Sequence, residues 1–111
     1  MTVTIWHNPK CSTSRKVLEA IRARGIDPVI VDYLNTPPDR ATLTGILARM
    51  KAGPRDILRR KGNDALLADD PADADLLERM LTHPILIERP IVQTPKGAAL
   101  CRPMERLEEL L

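Results

Sequence analysis

Aromatic residues are almost missing from this chain of 111 residues: Trp6 and Tyr33 stand alone, and phenylalanine does not occur. The core is therefore expected to be aliphatic, and the stacking platforms that grip single-stranded nucleic acid are absent. Nor is there an excess of one charge. Seventeen Lys and Arg against fifteen Asp and Glu leave a net charge of +2, which implies no polyelectrolyte partner. No apolar run approaches the roughly 20 residues needed to cross a bilayer. No basic stretch followed by an apolar segment of about 7–15 residues opens the chain. Cysteine is scarce as well. Cys11 and Cys101 lie 90 positions apart and make no disulfide framework. These absences point to a reducing, cytoplasmic setting with neither nucleic acid nor membrane as partner. The length suits one compact domain spanning 1–111.

The periodicity of what remains outlines the elements. "TVTIW" (2–6) reads as a strand. From Ser12 the period becomes helical through Ser14, Val17, Leu18 and Ile21, with Gly25 as the stop. "PVIVDYL" (28–34) reads as a second strand, apolar enough to be buried on both faces. A helical insert follows at about 39–82. Asp39 is its candidate N-cap, Leu43, Ile46, Leu47 and Met50 form one stripe, and Gly53-Pro54 breaks it. A short helix over 54–61, a loop over 61–73 with one turn at 65–68, and a helix marked by Leu76, Leu77, Met80 and Leu81 complete the insert. Strands at 91–94 and 98–101 form a hairpin turning at Pro95-Lys96-Gly97. A last helix over 103–111 places Met104, Leu107 and Leu111 on one face. A strand–helix–strand start demands a parallel pair, and the hairpin is antiparallel. The fold class is thus α/β: a mixed four-stranded sheet flanked by helices on the thioredoxin/glutaredoxin plan, with the insert between strands 2 and 3.

The stretch "WHNPKCSTSRK" carries the chemistry. It puts Cys11 where a strand gives way to a helix, so unpaired amides and the positive end of the helix dipole favour thiolate over thiol. Lys10, Arg15 and a charged His7 would act in the same direction. The same amides, with Ser12, Thr13 and Ser14, offer donors to an oxyanion. Position 14 is serine, so "CSTS" cannot close its own disulfide, and an outside thiol must resolve any adduct. Two other readings stand beside these: Cys11 as a small apolar side chain beneath a capped helix, and His7 as a strand-end packing residue. Cys101 could be a resolving thiol that pairs with Cys11, but its alternation with Ala99 along a strand points it into a packed layer. Arg59 and Arg60 close the short helix, Arg89 precedes Pro90, and Arg102 precedes Pro103. Each is a candidate ligand for a tetrahedral oxyanion or a solvated surface cation. In a thioredoxin-like sheet Arg89 would approach Cys11, and Pro90 would be a candidate cis proline. His7, His83, Cys11 and Cys101 lack metal-ligand spacing, so no metal and no tightly bound cofactor are expected.

The motifs "WHNPKCSTSR", "LNTPP", "RDILR", "HPILIERPIV" and "LCRP", in this order from residue 4 to about 110, resemble the series that marks the glutaredoxin-coupled arsenate reductase family. The resemblance implies reduction of arsenate through a covalent Cys11 adduct, with His7 lowering the thiol pKa. By their places in the motifs, Arg59, Arg89 and Arg102 would hold the oxyanion, and Arg60 has no match. Glutathione would be the co-substrate and glutaredoxin the partner that regenerates the thiol. Trp6 stands where tyrosine is usual, and the chain ends at Leu111, short of a C-terminal segment that fuller members carry. Two alternatives share much of this pattern. One is a glutathione-dependent thiol–disulfide oxidoreductase acting on another substrate. The other is a redox regulator that binds RNA polymerase, a branch that characteristically uses the Cys-x-x-Cys pair this chain lacks.

Overall fold

A computed structural model describes residues 2–111. They form two compact units: residues 2–36 with 89–111, and residues 37–88. The first holds a four-stranded sheet made of β1 (Thr4–His7), β2 (Val29–Asp32), β3 (Ile91–Thr94) and β4 (Gly97–Leu100), in the order β2-β1-β3-β4. β1 runs parallel to β2 and antiparallel to β3, and β3 runs antiparallel to β4. This is the expected mixed sheet on the thioredoxin plan.

Helix α1 (Ser12–Ala23) packs its Ser14, Val17, Leu18 and Ile21 face inward. It ends where foreseen: Gly25 adopts a left-handed φ of 76° and donates its N–H to the Arg22 carbonyl. Val3 and Ile5 share one parity of β1 and meet that helix face, together with Val92, Ala99 and Cys101. This side of the core is aliphatic, as the scarcity of aromatics led one to expect. Trp6 lies on the opposite parity, with its ring centroid 6.5 Å from that of Tyr33.

Three local expectations are corrected in this unit. β2 is not buried on both faces: it is the edge strand, and Val29 and Ile30 are 53% and 42% exposed. An apolar run reports β-propensity as readily as burial, and here it reports propensity. The hairpin turn is tighter than expected, since Thr94 pairs directly with Gly97 and leaves only Pro95 and Lys96 in the loop. The C-terminal helix is a 3₁₀ helix over Met104–Glu109. Leu107 and Leu110 are buried from it, while Met104 and Leu111 are only partly covered.

The second unit contains α2 (Arg40–Met50) and α3 (Asp73–Thr82), joined by 3₁₀ turns at Pro54–Ile57 and Asp64–Leu67. Asp39 caps α2 as foreseen, its side chain accepting the Thr42 N–H at 2.8 Å. Arg40 of α2 pairs with Glu78 of α3. The short helix expected over 54–61 stops at Ile57, so Arg59 and Arg60 lie beyond it rather than closing it. There the chain turns extended: Leu58 bridges antiparallel to Ile87, and the Arg59 N–H donates to the Leu86 carbonyl at 2.8 Å. A bridge partner nearly thirty residues away is invisible to local pattern. No helix among the described residues is long and apolar enough to cross a membrane.

Candidate active site

Strand register gathers the site. Trp6 of β1 lies opposite Ile91 of β3, so the residues just before β3 come alongside the loop that follows β1. Ile91 in turn lies opposite Leu100, and the Cys101 N–H donates to the Pro90 carbonyl at 2.9 Å. The end of β1, the start of β3 and the end of β4 therefore meet at one end of the sheet, bringing Cys11, Arg89 and Arg102 together. The Arg102 Nη1 lies 3.7 Å from the Cys11 Sγ and donates to the Arg89 carbonyl at 3.1 Å. The Arg89 side chain also hydrogen-bonds the sulfur, and Arg89 is itself buried. The Arg89–Pro90 peptide is cis, and so is Arg102–Pro103.

Cys11 is the N-cap residue of α1, with extended backbone at φ −93° and ψ 122°. Burial is the largest influence on its pKa and opposes ionisation. The backbone N–H of Ser14, the hydrogen bonds from Arg89 and Arg102 and the charge of Arg89 together outweigh it. The net effect holds the thiol below its ordinary 9.0. The unpaired amides expected at the helix start thus act through Ser14, but the added pull expected of Lys10, Arg15 and His7 is not what assists them. Lys10 is exposed, and the Arg15 Nη1 donates to the Pro9 carbonyl at 2.9 Å. The cations acting on the sulfur come from the far end of the chain.

Burial works against a positive charge on His7. His7 shares the parity of Val3 and Ile5, so its ring is buried against the first turn of α1, with Nδ1 2.6 Å from the Ser14 Oγ. Desolvation chiefly lowers its pKa from 6.5. Asp32, opposite it in β2, pulls the other way, while Arg22 and Arg15 add to the lowering. A neutral ring lets the Ser14 hydroxyl donate to Nδ1 while its oxygen accepts the Asn8 N–H at 3.1 Å. The hydroxyl of Ser14 is thereby occupied and fully buried, so it does not offer itself to an anion as expected from sequence. Ser12 is exposed and Thr13 half-buried in the same turn.

A His pKa lowered by the fold makes stability depend on pH with a definite sign. The folded pKa lies below the unfolded one, so the His7 contribution is full above about 6.5 and is lost as pH falls from there through the lower folded value. Denaturant unfolding from about pH 7 to about pH 5 should show wild type losing stability faster than His7→Gln. Parallel profiles would remove His7 from this account.

Sequence reasoning missed Asn8. It is buried, and its carbonyl accepts the Cys11 N–H at 3.0 Å while its Oδ1 accepts the Lys10 N–H at 2.9 Å. The Asn-Pro pair in "HNPK" is the signal that could have announced this turn. Arg59 belongs to the second unit, where its Nη1 meets the Glu88 Oε1 at 2.7 Å. Arg60 is exposed. Among the described residues, no three His, Cys, Asp or Glu side chains gather to hold a metal ion.

Cys101 lies fully buried in the aliphatic core, as expected. Burial, with a smaller push from Glu109 against the pull of Arg106, drives its pKa up to about 12. Both cysteines are free thiols. Alkylation of the native protein near neutral pH should therefore modify Cys11 alone, and denaturation should release Cys101. Mass spectrometry showing equal native labelling at both would contradict this environment.

Residues 6–110 match the model of the ArsC family. The chain belongs to the ArsC family. It is 48% identical to the arsenate reductase of Rhizobium meliloti (strain 1021), over all of this chain and 82% of that relative. Among solved structures, an arsenate reductase from Vibrio cholerae superposes with a TM-score of 0.89 at 36% identity, covering 100% of this chain and 98% of that one. A putative arsenate reductase from Yersinia pestis gives 0.88 at 40% identity, covering 96% and 98%. The thioredoxin-like sheet built above is thus this family's fold.

Proposed function

We propose that this protein reduces arsenate to arsenite by thiol chemistry at Cys11. The observation that carries the proposal is the Cys11 sulfur, held toward its thiolate form by the Ser14 amide and by Arg89 and Arg102 at one end of the sheet. A nucleophile beside two guanidinium groups suits a tetrahedral oxyanion. Family relatives named arsenate reductase at up to 48% identity support that substrate.

The Cys11 thiolate attacks arsenic, an As–S bond forms, and one arsenate oxygen takes up protons and leaves as water. Arginines neutralise the remaining oxygens. Arg89 and Arg102 do so from beside the sulfur. By its place in "RDILR" Arg59 is given the same role. Ser12 and Thr13 add donors in the first turn of α1. A glutathione thiolate then attacks the Cys11 sulfur. An S–S bond forms, the As–S pair stays on arsenic, and arsenic(V) becomes arsenic(III). Cys101 is too deeply buried to serve as that second thiol, so the reductant comes from outside the chain. Glutaredoxin exchanges with the Cys11–glutathione disulfide and restores the thiolate. No resident cofactor is needed.

The test couples arsenate, glutathione, glutaredoxin, glutathione reductase and NADPH. Arsenate-dependent NADPH oxidation that requires this protein is the expected result. Oxidation indifferent to arsenate would overturn the assignment and favour exchange with other disulfides.

A further inference from the structure

The ion pair between Arg59 and Glu88 is placed by backbone geometry, not by two flexible side chains meeting at a surface. Residues 57–59 run antiparallel to 86–88. The Leu58–Ile87 bridge is flanked by Arg59 N–H to Leu86 carbonyl and Glu88 N–H to Ile57 carbonyl, both 2.8 Å. This short ladder fixes both residues, and the Arg59 Nη1 meets the Glu88 Oε1 at 2.7 Å. The two side chains are only 14% and 18% exposed, so solvent screens the pair weakly. The guanidinium that "RDILR" assigns to the oxyanion thus already holds an anion from its own chain. Glu88 is also the residue immediately before Arg89.

We infer that Glu88 is a resident counter-ion for Arg59 that competes with the substrate oxyanion and so sets how tightly arsenate or phosphate is held. This rests on the proposed role of Arg59 as an oxyanion ligand. Glu88 touches no reacting atom; it is a positioning residue that acts through Arg59. A carboxylate on a guanidinium lowers that group's net pull on any further anion and occupies donors that a planar fork could otherwise offer. Replacing it with an amide of the same shape keeps an acceptor for Arg59 while removing the charge.

The experiment is a double-mutant cycle on oxyanion binding. Inorganic phosphate and arsenate are titrated calorimetrically into Cys11→Ser, which cannot form an adduct, alone and with Glu88→Gln, Arg59→Ala and both. Glu88→Gln should tighten binding about three- to tenfold, the difference between a charged and a neutral acceptor. Arg59→Ala should weaken it. In the Arg59→Ala background Glu88→Gln should have no effect, because its influence passes through the missing guanidinium. In the active enzyme Glu88→Gln should lower KM for arsenate and leave kcat unchanged. Unaltered or weakened binding in Glu88→Gln overturns the inference. Tightening that persists without Arg59 also overturns it, since the effect would then be a general change of field. Arg59→Ala binding as well as its parent would instead remove Arg59 from the oxyanion site, a failure of the earlier reading.

Discussion

Cys11→Ser should reduce arsenate-dependent turnover to background while leaving the fold intact. The reason is chemical, not steric. A serine hydroxyl fills nearly the same space at the N-cap of α1 and caps helices well, so stability should hold or rise slightly. What disappears is the attacking atom. The Ser14 amide, Arg89 and Arg102 can bias a thiol toward its anion because its ordinary pKa of 9.0 lies near neutrality. An alcohol lies too far away for the same groups to ionise it. No second thiol rescues the reaction, since Cys101 is buried with its pKa raised to about 12. The coupled NADPH assay reads the loss, and circular dichroism with a thermal melt reads the fold. Substantial turnover by the serine variant would sink the covalent mechanism.

The second large effect belongs to the arginines. Arg102→Ala should raise the Cys11 pKa and lower kcat/KM by about 10- to 100-fold, the equivalent of about 1.5–3 kcal/mol for charged hydrogen bonds. Two losses combine there. The Nη1 leaves the sulfur, and it also leaves the Arg89 carbonyl that it anchors at 3.1 Å. Arg89→Ala should cost at least as much, because Arg89 acts on the sulfur through both a hydrogen bond and its charge. The pH dependence has a definite sign. In wild type the thiolate is populated below the ordinary range, so the acid limb of kcat/KM lies low. Removing either arginine moves that limb upward, and the deficit shrinks at high pH, where every thiol ionises. Lysine at 102 should rescue poorly, since one ammonium cannot reproduce a planar fork between sulfur and carbonyl. An acid limb that stays in place in both alanine variants would show that these arginines do not tune the thiol.

The sequence displayed the frame of this molecule clearly and its electrostatics poorly. Helix α1 was legible because its inward residues repeat at helical spacing and Gly25 ends it. The β3–β4 hairpin was legible because turn residues interrupt two apolar runs. Both are local signals. The cause of the lowered Cys11 pKa is local only in part: the Ser14 N–H at the helix start was legible as an unpaired amide, but the arginines were not neighbours in the chain. Arg89 and Arg102 stand 78 and 91 positions from the thiol, and only strand pairing brings them to it. Charge near Cys11 in the chain was a false guide, as Arg15 shows by bonding the Pro9 carbonyl. His7 was undecided for a related reason. The sequence left two readings open, a charged neighbour of the thiol and a strand-end packing residue; its parity buries the ring beneath α1, where desolvation lowers its pKa. Arg59 was legible as a motif residue, whereas Glu88 as its partner required the Leu58–Ile87 bridge.

The two-residue turn at Pro95 and Lys96 lies at the opposite end of the hairpin from the thiol, yet it dictates the register that sets Ile91 opposite Leu100, with Arg89 and Arg102 just beyond. Adding or removing one residue there would invert the facing of everything downstream on β4. Arg102 would swing away from the sulfur, and Cys101 would be driven out of the oil. The reactive centre is thus spelled partly in a surface loop that never touches it, and that loop's length tolerates far less change than its exposure suggests.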